Sequence, residues 1–500
     1  MNTTYWTESI EHVPQFPKLT EDLNVDVVVI GGGITGISTA HLLVESGLKV
    51  ALLERKRLGS GDTSHTTAHL TYMTDTRLSE MIRICGREAT KSAWEAGQSA
   101  IEHIRDMAGM MDDNAGFREV NGYLSSHLDP KGDEIWELQE ECQTALNMGF
   151  DVEYLDSILP LRLPGIRFPQ QAKFHPLAYI YDLAQQICNK GGQIFENTEV
   201  AKFETEPDHM VANSHRINFK RVVIATHVPL QGIAGTLKAT LFQTKLAAYS
   251  TYAIAALYPT GTLQEMIWSD TAEPFRYLRI DRTDRGDLAI FGGLDHKTGQ
   301  TKDTDAQYQT LALLLNRHLG KAEIIHRWSG QVIEPVDGLP FIGEIAPNQF
   351  IATGFSGNGM TFGVVAALMA RDWAAGIHNP WMEVFDPHRR NLRAAATYLS
   401  ENSDYPKCMI KDRLHLGNEG KELSAGEGRV VKKGGHYIAQ CRDDAGAQYD
   451  SSAVCPHMGC IVAWNPAEAT WDCPCHGSRF EVNGALLAGP AEHQIAPAND

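Results

Sequence analysis

The chain has 500 residues, more than one hydrophobic core normally serves, so we expect two or three domains. Hydrophobic residues make up 43% of the sequence, as in ordinary globular proteins, and the net charge of −18 argues against nucleic acid or an anionic membrane as a partner. The sequence has no apolar run of about 18 residues, and its first residues lack the basic and apolar segments of a secretion signal, so we expect a cytoplasmic protein with no transmembrane segment.

A pattern typical of nucleotide binding begins near residue 25. Residues 25–30 form an apolar run that predicts a buried parallel strand, and Gly31, Gly33 and Gly36 follow it at the start of a predicted helix. In this arrangement Gly31 makes the turn, Gly33 lets a pyrophosphate approach the helix N-terminus, and Gly36 lets the helix pack on the strand. A second apolar run ends at Glu54, which is placed to bind ribose hydroxyls. The strand–helix–strand unit therefore predicts a dinucleotide site.

Four later segments indicate which dinucleotide binds. Residues 174–179, 222–226, 328–343 and 352–361 resemble, in order, motifs of the D-amino-acid oxidase and glycine oxidase superfamily of FAD enzymes. The resemblance covers about residues 24–390. It implies a Rossmann-like α/β FAD domain interleaved with an antiparallel-sheet substrate domain, and hydride transfer to the flavin from a carbon that bears an amine. It also implies FAD contacts along this whole region, at Gly31, Gly33, Ile34, Thr35, Gly36, Glu54, Arg55, Thr63, His65, Thr66, Thr67, Val200, Ala225, Thr226, Gly330, Asp337, Gly357, Asn358, Gly359, Met360 and Thr361.

His65 carries a more specific hypothesis. Residues 61–68 resemble the segment of dimethylglycine and sarcosine dehydrogenases in which a histidine is bonded covalently to the 8α-methyl group of the flavin. Those relatives continue with Ala-Ala-Gly, whereas this chain has Thr66, Thr67 and Ala68. Two interpretations therefore stand: a covalent bond through His65, or a His65 that only lines the FAD channel while Thr66 and Thr67 bind phosphate.

The substrate site is less clearly marked. Amino-acid oxidases of the superfamily bind the substrate carboxylate with an arginine two residues after the glycine equivalent to Gly330, and here that position is Val332. Because an apolar side chain cannot form the paired hydrogen bonds that a carboxylate prefers, a simple amino-acid substrate is not expected. Tyr277 and Arg279 alternate on a predicted strand and are the candidate substrate contacts, with a solvated strand face as the alternative. No catalytic base is identified.

Closely spaced cysteines and histidines mark the C-terminal region. Cys455 and His457 lie two positions apart, and Cys473 and His476 lie three apart. The pattern resembles the Rieske [2Fe–2S] site, in which two cysteines hold one iron and two histidines hold the other. A zinc site is the alternative interpretation of such residues.

The resemblance to the Rieske proteins of cytochrome bc complexes extends beyond the ligands. It implies a disulfide between Cys460 and Cys475, a loop at 489–490 that covers the cluster, and a hydrogen bond from Ser478 to a bridging sulfide. Phe480 departs from the pattern, because high-potential members have a tyrosine there whose hydroxyl bonds a ligand sulfur. We therefore expect a reduction potential below that of those members, within the Rieske range of about −150 to +300 mV.

These motifs divide the chain into an oxidoreductase, a linker rich in Lys, Glu and Gly, and a small all-β Rieske domain. Their predicted bounds are 1–395, 396–427 and 428–500. Within the oxidoreductase, the predicted FAD-binding segments are about 24–85, 150–235 and 320–390, and the predicted substrate-domain segments are about 86–149 and 236–319.

A two-electron flavin joined to a one-electron cluster predicts a dehydrogenase rather than an oxidase. We expect it to oxidise a C–N bond of a small amine or secondary-metabolite intermediate, and to pass the electrons to an external one-electron acceptor, a protein or a quinone. The alternative is an electron-transfer or redox-relay flavoprotein, a reductase–ferredoxin fusion, with no amine substrate of its own. A Rieske oxygenase is excluded, because only 24 residues follow His476, too few for a mononuclear-iron domain.

Overall fold

The computed structural model describes residues 3–128, 133–203, 209–228, 242–301, 303–402 and 422–498. Its nucleotide-binding part is built on a six-stranded sheet in which all strands are parallel except one at the edge. The apolar runs Val27–Ile30 and Val50–Leu53 are buried at every position, as expected for strands covered on both faces. In spatial order the strands are Phe341–Ala346, Gln349–Thr353, Arg221–Ile224, Val27–Ile30, Val50–Leu53 and Gln193–Phe195.

The helix that follows the glycine turn packs closely on a second helix. Gly363 of Gly359–Ala375 approaches Ile34–Glu45 so closely that a Cβ on it would lie 2.6 Å from Thr35 Oγ1. None of the described helices is both long and apolar enough to cross a lipid bilayer. The α-helices of the described residues are Tyr5–Ser9, Ile34–Glu45, Leu78–Cys85, Arg87–Ala108, Glu134–Met148, Pro176–Asn189, Asp305–Leu319, Gly359–Ala375, Trp381–Val384 and Ala395–Asn402.

The second large sheet has nine strands and confirms the predicted antiparallel substrate domain. It is antiparallel except where Met266–Asp270 runs parallel to Arg118–Ser125. The sheet also takes strands from outside the segments predicted for it, because Glu323–Pro335 pairs along most of its length with Leu246–Tyr258 and Leu163–Lys173 pairs with three other strands. The spatial order is Glu323–Pro335, Leu246–Tyr258, Gly286–Lys297, Arg276–Thr283, Met266–Asp270, Arg118–Ser125, Leu163–Lys173 and His69–Leu70, with Glu153–Ile158 beside Leu163–Lys173.

A smaller sheet adjoins the nucleotide-binding part through its first strand, which leads into Val27–Ile30. It has four strands, in the order Leu23–Asn24, His215–Asn218, His209–Ala212 and Val200–Phe203.

The C-terminal part is all-β, as predicted. It has two antiparallel sheets around a core that includes Cys441, Trp471 and Phe480. Most of the predicted linker lies outside the described residues, and its first residues belong to the helix Ala395–Asn402. The strands are Gly428–Lys433, His436–Arg442 and Gln448–Ser452 in one sheet, and Ala463–Asn465, Thr470–Asp472, Arg479–Phe480 and Leu486–Ala488 in the other.

Candidate functional site

The glycine segment forms the tight turn that its spacing predicts. Gly31 has a φ of +108°, and a Cβ on it would lie 2.4 Å from the carbonyl oxygen of Ala225. A Cβ on Gly36 would lie 1.8 Å from the carbonyl oxygen of Gly31. Neither position has room for a side chain, so the helix starts directly against the strand. Thr63 Oγ1 accepts a hydrogen bond from the Ile34 amide at 3.1 Å and orders the helix N-terminus, where a phosphate is expected.

A cavity of about 1300 Å³ opens at this turn and extends to the nine-stranded sheet. Most of the predicted FAD contacts line it, although they come from separate segments of the chain. The structure therefore places in one cavity the residues that the sequence motifs only suggested belong to one site. The predicted contacts in the cavity wall are Gly31, Gly33, Ile34, Thr35, Glu54, Arg55, Thr63, His65, Thr66, Thr67, Val200, Ala225, Thr226, Gly330, Gly357, Asn358, Gly359 and Met360.

Three predicted FAD contacts do not line the cavity. Gly36 is packed on the turn, as described above. The carboxylate of Asp337 accepts two hydrogen bonds from Arg389, at 2.8 and 2.7 Å. Thr361 Oγ1 accepts one from the Thr71 amide at 3.1 Å. Because the polar groups of Asp337 and Thr361 are hydrogen-bonded to other residues of the chain, these two residues order the cavity wall.

Glu54 lies at the nucleotide end of the cavity. Its Oε2 accepts a hydrogen bond from the Gly32 amide at 2.7 Å, and its Oε1 accepts one from the Lys56 amide at 2.7 Å. Burial raises the pKa of the Glu54 carboxyl. Each carboxylate oxygen keeps a further lone pair, so Glu54 can still accept hydrogen bonds from ribose hydroxyls.

His65 lies on the cavity wall in a fixed orientation. Its Nδ1 is 3.0 Å from the carbonyl oxygen of Gly61, a contact that makes Nδ1 the donor and leaves Nε2 as the nitrogen with the lone pair. The indole of Trp328 donates to the His65 carbonyl oxygen at 2.8 Å. The geometry suits either contact or bonding with a flavin, and the covalent bond stays a prediction.

The two candidate substrate contacts have different surroundings. Tyr277 lines the cavity, and its hydroxyl is 2.6 Å from Thr251 Oγ1. Arg279 does not line it; its guanidinium donates to Asp281 at 2.7 Å and to the carbonyl oxygen of Ala68 at 2.8 Å. A buried guanidinium needs such partners, so Arg279 has a structural role and the prediction that it contacts substrate is corrected.

Among the carboxyl groups that line the cavity, Asp75, Asp295 and Glu334 lie close enough to affect one another's ionisation. Burial raises the pKa of Asp75 to about 6 and that of Asp295 to about 7. Burial, together with the other two carboxyl groups, raises the pKa of Glu334 to about 8. Asp295 is hydrogen-bonded to Thr251, while its Oδ1 is buried and has no hydrogen-bond partner among the described residues. We call these three residues the acidic wall.

His69 is a further cavity residue that sequence reasoning did not find. Its ring is 6.1 Å from that of Tyr277, and burial lowers its pKa to about 3, so the imidazole is neutral. Its Nε2 is buried, with no hydrogen-bond partner in the part of the chain that the structure describes. No motif marks His69 or the acidic wall, because these residues come from distant segments that only the fold brings together.

The two cluster loops repeat one backbone pattern. In the first, the Cys455 amide donates to the carbonyl oxygen of Cys460 at 2.8 Å; in the second, the Cys473 amide donates to that of Ser478 at 2.8 Å. A disulfide between Cys460 and Cys475 joins the loops, which confirms the predicted pair. Each loop is therefore a closed turn held to the other by a covalent bond.

The four predicted cluster ligands converge between these loops. The thiol of Cys473 hydrogen-bonds the Cys455 sulfur and lowers the pKa of Cys455 to about 7. The rings of His457 and His476 lie 4.8 Å apart and nearly perpendicular, and burial lowers the pKa of each to about 4. Both imidazoles are therefore neutral, as metal ligands must be. The Nδ1 of His457 is buried and has no hydrogen-bond partner among the described residues, so it is available to a metal.

The sulfur chemistry at this site fits an iron–sulfur cluster. The Cys473 sulfur lies within 4.8 Å of the sulfurs of Cys460 and Cys475, but the disulfide removes those two as ligands. Two thiols and two imidazoles remain, the donor set of a Rieske cluster. The Ser478 hydroxyl hydrogen-bonds the Cys455 sulfur, and buried Phe480 has no hydroxyl to add a second such bond. The lowered potential expected from Phe480 stays a prediction.

The Rieske domain also closes one side of the flavin cavity. Arg55 donates to the carbonyl oxygen of Leu487 at 2.9 Å, and Lys56 pairs with Glu481 at 3.2 Å, so the segment after Glu54 is tied to this domain. No motif predicted this contribution, since it depends on how the two parts dock. The cavity-lining residues of the Rieske domain are Glu468, Arg479, Glu481, Leu487, Ala488 and Gly489.

The fold around the glycine turn, together with the two thiols and two imidazoles of the cluster loops, defines a flavin oxidoreductase with an attached iron–sulfur domain. Residues 26–373 match the family described as FAD dependent oxidoreductase, and residues 416–498 match the Rieske [2Fe-2S] domain. The chain belongs to this FAD-dependent oxidoreductase family, and its cofactors are FAD and a Rieske [2Fe–2S] cluster.

Individual relatives agree with this division. The chain is 33% identical over 499 residues to YhfW of Bacillus subtilis (strain 168), which is described as a Rieske 2Fe-2S iron-sulfur protein; the match covers 98% of this chain and 96% of YhfW. It is 28% identical over 164 residues to the cytochrome b6-f complex iron-sulfur subunit 2 of Synechocystis, covering 33% of this chain and 83% of that subunit. Glycine oxidase from Geobacillus kaustophilus shares the fold, with a TM-score of 0.61 at 18% identity over 74% of this chain and 99% of the oxidase.

Proposed function

We propose that the chain is an FAD-dependent dehydrogenase that oxidises a C–N bond of a small amine or secondary-metabolite intermediate and passes the electrons through the Rieske cluster to an external one-electron acceptor. The observation that carries this proposal is the acidic wall, in a cavity where Val332 offers no contact to a carboxylate. A bound ammonium group favours the ionised form of these carboxyl groups and gains charge-assisted hydrogen bonds from them, whereas a carboxylate favours neither.

Asp295 is the residue of the wall best placed to receive the ammonium group. Thr251 contacts both the Tyr277 hydroxyl and Asp295, so it holds one side of the carboxyl group. The free Oδ1 then accepts an N–H of the bound amine. With a pKa of about 7, Asp295 can also take the proton that an ammonium must lose before its carbon gives up hydride.

FAD, when bound in the cavity, would supply the hydride acceptor. Two residues of the chain would help to hold the amine: Tyr277 packs on Gly292, where a Cβ would lie 2.2 Å from the tyrosine ring, and neutral His69 has a buried Nε2 that can hydrogen-bond a substrate nitrogen. The chain's own groups therefore explain recognition of an amine nitrogen.

The test is an anaerobic screen of primary, secondary and diamines, with amino acids and alcohols as comparison sets. Flavin absorbance and the EPR signal of the cluster are recorded in the same samples. We expect amines without a carboxylate to bleach the flavin and then to reduce the cluster. Bleaching only by alcohols would refute the C–N assignment. Absence of bleaching by any compound, with ready reduction of both centres by dithionite, would instead favour a redox relay.

The covalent attachment of FAD through His65 is tested separately. In acid-precipitated protein, a yellow pellet and colourless supernatant are expected if His65 is bonded to the flavin. A His65→Ala variant should then release its flavin into the supernatant. A yellow supernatant from the unmodified protein would show that His65 only lines the FAD channel.

A further inference from the structure

The second cluster loop sits directly on the flavin-domain sheet through one buried glutamine. Gln331 is 2% exposed, and its Nε2 donates to the carbonyl oxygen of Gly477 at 2.8 Å and to Thr298 Oγ1 at 3.1 Å. Its backbone amide donates to Asp62 Oδ1 at 2.9 Å. Gln331 also lines the flavin cavity, so a single residue contacts both sites.

At this contact, the backbone of the second cluster loop approaches the flavin domain so closely that two glycines have no room for a side chain. Gly477 has a φ of +75°, and a Cβ on it would lie 2.3 Å from the Cβ of Ala248. On the other side of the loop, a Cβ on Gly299 would lie 2.8 Å from the backbone nitrogen of Pro474. Gln300 Nε2 donates to the carbonyl oxygen of Pro474 at 3.1 Å. Such close contact on two sides specifies one docked position of the loop.

The first cluster loop also contacts the flavin-binding part of the chain. His457 Nε2 is 3.1 Å from Oε1 of Gln243, which is 5% exposed. If Nδ1 of His457 binds the cluster, Nε2 carries the hydrogen and donates to Gln243. His457 of the first cluster loop is therefore in contact with the flavoprotein.

A short connection through Gln331 joins the flavin cavity to the second cluster loop. Gly330, its neighbour in the chain, is close enough to His65 that a Cβ on it would lie 3.2 Å from the His65 carbonyl oxygen. From there the chain leads to Gln331, across the hydrogen bond to Gly477, and by one peptide bond to His476. Every step is a covalent bond or a direct contact, and Gly330, Gln331 and Gly477 are buried.

We propose that Gln331 is a positioning residue that fixes the second cluster loop on the wall of the flavin cavity, and that electrons cross along Gly330, Gln331, Gly477 and His476. This inference rests on the proposed function. Each crossing moves one electron and no proton. Two successive crossings, each followed by loss of one electron to the external one-electron acceptor, return a two-electron-reduced flavin to its oxidised state, and its protons go to solvent.

The test compares Gln331→Met, which keeps the length of the side chain but removes the donor, with unmodified holoprotein. The flavin is reduced by a light pulse with a deazaflavin donor, so no substrate is needed, and arrival of electrons at the cluster is followed by absorbance and freeze-quench EPR. We expect transfer to slow by roughly tenfold, because losing about 1.4 kcal/mol of docking free energy lowers the ratio of docked to undocked loop about tenfold. FAD content, iron content and the EPR line shape of the chemically reduced cluster should stay unchanged.

Gln300→Ala is the matched control, since it removes a hydrogen bond to the same loop from an exposed side chain that does not line the cavity. We expect its transfer rate to stay within about twofold of the unmodified protein. If Gln331→Met does not retain both cofactors, Gln331→Glu removes the same donor at the same size. Equal transfer rates in the Gln331 variant and the unmodified protein would overturn this proposal. Absence of any flavin-to-cluster transfer in the unmodified protein would instead refute the proposed function.

Discussion

The two cluster loops and the acidic wall of the flavin cavity place their polar groups in different ways. Each loop carries its ligands within a few consecutive residues, fixed by backbone hydrogen bonds and by the disulfide between Cys460 and Cys475. The acidic wall takes Asp75, Asp295 and Glu334 from three distant segments, and burial raises the pKa of each. Cluster binding therefore depends on local geometry, whereas the charge of the wall depends on the whole fold and on pH.

Removing a cluster ligand should have the largest effect. We expect Cys473→Ser to abolish the cluster EPR signal and to leave no stoichiometric iron or inorganic sulfide, because Cys473, which is buried, is one of the two predicted sulfur ligands. FAD should remain, since the glycine turn that binds its phosphates lies in the other domain. Cys441→Ala, at another buried cysteine of the Rieske core, is the control and should keep the cluster. A full cluster in Cys473→Ser would contradict the ligand assignment.

Removing the disulfide between the two cluster loops should have the next largest effect. The disulfide joins residues 15 apart in sequence, so we expect the double change Cys460→Ala and Cys475→Ala to lower the free energy of unfolding of the Rieske domain by about 3 kcal/mol. Denaturant unfolding followed by loss of the cluster's visible absorbance measures this. An unchanged midpoint would show that backbone hydrogen bonds alone hold the loops together.

The same comparison explains which features could be predicted from the sequence. The cluster ligands and the turn at Gly31 are local patterns whose spacing constrains the chemistry, and the disulfide was implied by the resemblance of the two loops to a known family. The acidic wall, His69 and the Gln331 contact arise from long-range strand pairing and domain docking, which no short pattern records. Arg279 shows the limit most directly: alternation on a strand predicted its face, but its burial against the carbonyl oxygens of Ala68 and Phe174 depends on the tertiary structure.

Neutralising the wall should weaken amine binding but not cluster assembly. We expect Asp295→Asn to raise the dissociation constant of the amine found in the screen by roughly 10- to 100-fold, since a hydrogen bond to a charged group contributes about 1.5–3 kcal/mol. Spectral titration of the oxidised flavin measures binding without turnover. A neutral analogue of the amine is the control and should bind both proteins alike. Equal amine affinity in the two proteins would remove Asp295 from the recognition site.

The pH dependence of the stability that Glu334 contributes should show the smallest effect. The folded protein holds a proton on Glu334 up to a pKa of about 8, whereas an unfolded glutamate releases it near its ordinary pKa of about 4.3. The stability that Glu334 contributes is therefore highest below its ordinary pKa and falls as the pH rises through about 8. Asp75, Asp295 and Glu401 face Glu334, and their negative charges add to its cost of ionisation. In Glu334→Gln, the melting temperature relative to the unmodified protein should rise between pH 5 and pH 9. A difference that does not change with pH for Glu334→Gln would mean that this carboxyl group titrates as it does in water.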